Sequence, residues 1–84
     1  MFNKQERKMK QNTVSHGTVN IRVGREQLPF GNTFVQLKSQ IITWEGRREI
    51  VARVLCTEGS KEPGRIYDCA YSMDGTLVEC DTVN

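Results

Sequence analysis

The stretch TFVQLKSQIITWEGRREIVARVLC, residues 33–56, decides the fold of this 84-residue chain. Two runs rich in β-branched residues flank Glu45-Gly46, so it reads as a hairpin with strands over 33–44 and 47–56. An even-length loop sets Ile41 opposite Ile50, Ser39 opposite Ala52, Leu37 opposite Val54 and Val35 opposite Cys56. Strand side chains alternate with period two, so these all fall on one side. The other side carries Gln36, Lys38, Gln40 and Trp44 against Arg47, Val51, Arg53 and Leu55, a mixed surface. A three-residue loop would set Ile41 against Glu49 and Leu37 against Arg53. That slip inverts which face is buried, so the even loop is expected. Leu37, Ile41, Ile50 and Val54 are then the candidate core. Between the two even loops, the four-residue version (Trp44 to Arg47) is preferred, because Glu45 is a poor fit to the positive φ of a tight primed turn.

Outward from this hairpin the chain keeps the same grammar. Upstream, Thr18 to Val23 alternates with Val19, Ile21 and Val23 inward, reached through His16-Gly17. Gly24 to Asn32 is a loop by its glycines and Pro29. Its apolar Leu28-Pro29-Phe30 tip has two fates: to close the end of a barrel, or to meet a partner. Downstream, Thr57 to Gly64 is a polar loop. Arg65 to Tyr71 is a strand with Tyr67, Cys69 and Tyr71 on one side. Ser72-Met73-Asp74-Gly75 is a hairpin turn, and the strand over 76–82 returns with Thr76, Val78 and Cys80 on one side. A two-residue turn there would put Cys69 directly opposite Cys80; a four-residue turn would not. No segment holds a 3.6-residue pattern long enough for a packed helix. The expected fold is all-β: five strands (18–23, 33–44, 47–56, 65–71, 76–82) in an antiparallel meander. A meander this short buries its apolar face by curling, so a partly open barrel of SH3-like or OB-like shape is expected.

Length allows one domain with a thin core, since a chain of this size buries only about two-thirds of its unfolded surface. The expected organisation is a flexible basic arm over 1–12 and a single β domain over 13–84. Net charge is +2, but it is unevenly spread: +3 over residues 1–10, +3 over 11–56 and −4 over 57–84. Such a gradient steers charged partners to one end or favours self-association. No apolar run approaches the roughly 18 residues of a membrane span, and the charged N-terminus has no apolar core behind it, so no membrane or secretory role is expected. Three cysteines without a dense framework suggest reduced thiols and a cytoplasmic setting.

Chemistry-bearing constellations are sparse. His16 is the only histidine and has no cysteine at ligand spacing, so no metal site is expected and the residue reads as a turn or surface histidine. The glycines form neither a phosphate loop nor a dinucleotide fingerprint, and no cofactor is expected. Cys56, Cys69 and Cys80 fall at inward positions, where thiols are usually inert. Asp68 with Glu79, or Glu45 with Glu49, are the carboxylate pairs to consider, but no base and orienting group surround them, and no catalytic residue is assigned.

The reading that follows is a non-catalytic binding module, of the adaptor, inhibitor or accessory-subunit kind that phages and mobile elements often encode. A protein partner would be met by Trp44, Arg47 and Arg48 at the hairpin end and by Leu28 and Phe30 in the loop, Trp and Arg being enriched at interface hot spots. An open sheet edge also offers self-association. The alternative is nucleic-acid binding through Lys4, Arg7, Lys8 and Lys10 of the arm with Lys38 and Arg53 on the Trp44 face. A basic groove beside a stacking aromatic is the single-strand binder's combination.

Overall fold

A computed structural model describes residues 13–24, 27–31 and 33–84. The expected basic arm, including Lys4, Arg7, Lys8 and Lys10, lies outside the described residues. The described chain is all-β, with strands β1 (Thr13–His16), β2 (Val19–Arg22), β3 (Phe34–Trp44), β4 (Arg47–Cys56), β5 (Ile66–Ser72) and β6 (Leu77–Thr82). β3 to β6 form one antiparallel sheet in chain order, and β1 and β2 form a separate two-stranded sheet. The barrel is not closed.

The described strands number six rather than the expected five. Thr13–His16, carrying a single aliphatic residue, pairs with β2 so that Val14 faces Ile21 and His16 faces Val19. The connection is Gly17-Thr18 with Gly17 at φ 61°, the primed geometry that suits a twisted ribbon and takes glycine first. Val14 and Ile21 are buried together. The outer edge of β1 is satisfied by side chains of β3. Gln36 accepts from Ser15 N–H through Oε1 and donates to Ser15 C=O through Nε2, both at 2.8 Å. The Ser39 hydroxyl also donates to Ser15 C=O at 2.7 Å. With that proton committed, His16 Nδ1, 3.1 Å away, donates to Ser39 Oγ.

The central hairpin has the expected even register near its turn: Ile41 faces Ile50 and Ser39 faces Ala52. Two expectations there are corrected. The loop is the tight Glu45-Gly46 rather than the four-residue version, with Glu45 at φ 50° and Gly46 at φ 78°. The ribbon's twist thus outweighs the reluctance of Glu45 to enter the left-handed region, and Gly46 carries the second positive φ without cost. Further along, a bulge between Gln36 and Lys38 shifts the register by one. Gln36 now faces Val54 and Phe34 faces Cys56, leaving Leu37 unpaired and 50% exposed instead of in the core. The physical reason lies in what the bulge gains. Phe34 replaces Leu37 as the buried side chain of β3, at 0% exposure, and Gln36 turns inward, where β1 needs a donor and an acceptor. Ile50 and Val54 are buried as expected, and Ile41 packs partly buried against them.

The second hairpin reaches its register by two compensating irregularities. Gly75 N–H donates to Ser72 C=O (3.0 Å) and Ser72 N–H to Thr76 C=O (2.8 Å), enclosing three residues, Met73 to Gly75. An odd loop alone would turn the wrong face inward. A bulge at Val78 restores it, so Tyr71 faces Leu77 while Ala70 faces Glu79 and Cys69 faces Cys80. Val78, expected on the Cys80 side, is 48% exposed, and Leu77 packs against the core instead. Tyr67, Cys69 and Tyr71 are buried as expected.

The core fills the concave side of the four-stranded sheet beneath the β1–β2 hairpin. Leu28 and Phe30 close it, at 6% and 0% exposure. The ring of Phe30 stacks on Tyr67 at 4.2 Å between centroids. Lys61 N–H donates to Phe30 C=O and Thr57 N–H to Thr33 C=O, tying the two long loops together over this end. Leu28 and Phe30 are therefore core residues rather than partner-binding ones. An apolar loop tip next to an open barrel end gains more from covering it than from facing water.

Candidate interaction surface

The convex side of the four-stranded sheet carries what remains of the candidate residues. Alternation sends the odd-numbered residues of β4 outward, and the register builds rows across the sheet from them, those of Val51 and Arg53 spanning all four strands. Trp44 faces Arg47, Ile42 faces Glu49, Gln40 faces Val51 and Lys38 faces Arg53. Across β5 the rows continue as Glu49 to Ser72, Val51 to Ala70 and Arg53 to Asp68. On β6, Ala70 meets Glu79 and Asp68 meets Asp81.

A shallow depression crosses this face. Its floor is the Val51–Ala70 pair, whose small side chains leave the sheet low in the middle. Ile42 and Trp44 stand on the β3 side and Glu79 and Asp81 on the β6 side, with Glu49 and Asp68 between them. Strands lie about 4.8 Å apart, so the depression is roughly 14 Å wide from β3 to β6. Trp44 is 59% exposed, the most exposed large hydrophobic side chain among the described residues. Pairing of β4 with β5 begins at Glu49, so Trp44 and Arg47 project past the end of the sheet.

Electrostatics on this face are acidic where the depression lies. Arg53 is held by Asp68 in a two-pronged pair, Nε to Oδ1 at 2.8 Å and Nη2 to Oδ2 at 3.0 Å. Those hydrogen bonds keep the Asp68 carboxyl below its ordinary range, with the Lys38 charge adding to the effect, and hold the Arg53 guanidinium above its own. Asp81 stands directly opposite Asp68. Like charges in that position repel, and Arg53 relieves one of them only. Glu49 is 5% exposed, yet its carboxylate makes no hydrogen bond or ion pair among the described residues.

The sequence-based candidates thus separate. Trp44 and Arg47 share the convex face at the hairpin end. Arg48 faces Thr43 on the other side of the ribbon, so the three do not form one patch. Lys38 and Arg53 are adjacent as expected, but Arg53 spends its charge on Asp68, while Lys38 stays exposed and only adds to the field around that carboxylate. Glu49 and Asp81 were not singled out as binding residues in the sequence. The spacing of Glu49 two residues from Arg47 and Val51 was the available signal for the first, but only the β5–β6 register puts Asp81 on the Trp44 face. The carboxylate pairs considered for catalysis are not built: Glu79 faces Ala70, Asp68 is held ionised by Arg53, and Glu45 sits exposed in the turn. Burial pushes the Cys56 thiol up, which makes it a poor nucleophile. Among the described residues no group of three or more His, Cys, Asp or Glu side chains is placed to hold a metal ion, and no helix is long and apolar enough to cross a membrane. No protein family, curated protein or solved structure matches this chain.

Proposed function

We propose that this protein is a non-catalytic, protein-binding module whose convex sheet face receives a basic, extended segment of its partner. The observation that carries the reading is the exposed Trp44 beside a depression whose unpaired charges, Glu49, Glu79 and Asp81, are all acidic. A partner cation over the Trp44 ring and against Glu49 gains cation–π and ion-pair attraction together. A second cation at Asp81 supplies the counter-charge that Arg53 does not. In an extended peptide, side chains four residues apart lie about 13 Å from each other on one face, close to the width of the depression. The recognised pattern is therefore Lys or Arg at i and i+4 with small or apolar residues between. An adaptor, inhibitor or accessory subunit works in this way, and the three free cysteines suit a reducing, cytoplasmic compartment.

The same observation weighs against nucleic acid. Phosphates need a run of unpaired cations around the stacking ring; Arg47 beside Trp44 supplies one, but the carboxylates that line the depression would repel the rest of the backbone.

Trp44 is the only tryptophan, so its emission reports directly on the site. Short peptides with Lys or Arg at i and i+4 are expected to shift it, with binding weakened by salt. Trp44→Ala should cost on the order of 2 kcal/mol or more of that affinity. Asp81→Asn should weaken it without lowering the melting temperature, since it also removes the repulsion with Asp68. A shift produced by a single-stranded oligonucleotide and not by the basic peptides would overturn the reading in favour of nucleic acid.

A further inference from the structure

The second hairpin holds a feature that peptide binding does not use. Cys69 and Cys80 are direct partners across β5 and β6. Val83 N–H donates to Ile66 C=O at 2.8 Å, which marks Ile66 and Val83 as a hydrogen-bonded pair. Antiparallel pairs alternate, so Asp68 with Asp81 is again hydrogen-bonded and Cys69 with Cys80 is not. Pairs of the second kind have Cα atoms about 4.5 Å apart with their side chains closer together. That separation lies within the range of about 4.4–6.8 Å that a disulfide accepts. The two sulfurs are already 3.1 Å apart. The bulge at Val78 makes this alignment; without it the three-residue turn would set Cys69 one position out of step.

The two thiols differ in access. Cys69 is fully buried, whereas Cys80 is half-buried on the edge strand. A hydrogen bond from Cys69 favours the thiolate at Cys80, while the same bond together with burial holds Cys69 protonated. Cys56 is a poor competitor. It lies on β4 four residues beyond Ala52, the partner of Cys69, about 13 Å along the strand.

We propose that Cys69 and Cys80 form a two-electron redox site that closes to a cross-strand disulfide on meeting a small-molecule disulfide such as oxidised glutathione. Cys80 thiolate attacks one sulfur of the oxidant, forming a mixed disulfide and releasing one thiolate. Cys69 then gives up its proton, and its sulfur attacks Cys80 Sγ. The bond between Cys80 and the small thiol breaks, and the second thiolate leaves. Two electrons and two protons pass from the protein to the oxidant, which becomes two thiols. The product fixes β6, with Glu79 and Asp81, to β5.

The test is a titration of the folded chain with mixtures of reduced and oxidised glutathione. Remaining thiols are alkylated after denaturation and counted by intact mass. The chain has three cysteines, so reduced protein takes three alkyl groups. Oxidised protein is expected to take one, on Cys56, with no cross-link between chains. Cys80→Ser should keep both of its remaining thiols through the whole titration. Cys69→Ala should instead trap a glutathione adduct on Cys80. The oxidised wild type should melt at a higher temperature than the reduced protein, a difference absent in Cys80→Ser. Three alkyl groups on wild-type protein at the oxidising end would overturn the proposal. So would a bond to Cys56, or pairing that appears only when the chain is oxidised in denaturant.

Discussion

The two faces of β4 alternate residue by residue and have opposite characters. Ile50, Ala52, Val54 and Cys56 point to the concave side and are buried to 1% exposure or less. Glu49, Val51, Arg53 and Leu55 point the other way, toward the depression, the ion pair and the edge of the sheet. A period of two gives a single strand both jobs, with the concave residues fixed by packing and the convex residues left to carry charge. Neither face is uniform, however. The concave side includes a polar patch, where Gln36 and Ser39 meet the open edge of β1. The convex side includes the nearly buried Glu49. The first exception is completed by the β1–β2 hairpin; the second, under the proposed function, is where a partner cation would sit.

The strongest way to break this comparison is to empty the concave side. Phe34 is fully buried and brought there by the bulge. Phe34→Ala should destabilise by about 3–5 kcal/mol, read by thermal or denaturant unfolding. A loss below about 1 kcal/mol would mean that Phe34 points outward and that the bulge does not exist.

A second test strikes where the β5–β6 turn meets the β1–β2 hairpin. Gly75 sits at φ 98°, and a Cβ added there would come 3.2 Å from Ile21 Cγ2. Gly75→Ala meets both a backbone conformation that L-residues rarely adopt and a tight contact, and should cost about 1–3 kcal/mol. Pairing it with Ile21→Ala, which removes the Cγ2 methyl, sharpens the result. If the contact contributes, the double variant should lose less than the sum of the two single changes.

Most of the sheet could be read from the sequence because alternation is a strong local signal. β4 runs over the expected residues, Arg47–Cys56, and Tyr67, Cys69 and Tyr71 face inward as their spacing indicates. What could not be read is whatever depends on a partner strand. Thr13–His16 contains one aliphatic residue, and it becomes a strand because Val14 finds Ile21 and Ser15 finds Gln36. The bulges at Leu37 and Val78 leave no mark in a pattern of alternating residues, since Phe34 and Leu37 are equally apolar and three apart. Which of the two is buried depends on the Gln36 side chain meeting β1, a contact between residues about twenty positions apart. The candidate surface was legible at Trp44 and Arg47. Its acidic character was not, because Glu49 on β4 and Glu79 and Asp81 on β6 come from two strands that only the register of β5 between them brings to one face.

The smallest expected effect tests that point directly. Taken from alternation alone, Leu37 faces Val54 in the core, and Leu37→Ala would cost about 2–5 kcal/mol. The bulge instead leaves Leu37 half exposed beside Lys38, with Val54 facing Gln36. A leucine that buries only half its side chain gains about half of the roughly 2 kcal/mol that full burial brings. Leu37→Ala should therefore cost about 1 kcal/mol or less. The informative quantity is its ratio to Phe34→Ala, measured under the same conditions, because the two registers invert it. A large loss at Leu37 with a small one at Phe34 restores the unbulged hairpin. It also turns Gln36 outward, away from Ser15, and so removes the side chain that satisfies the edge of β1.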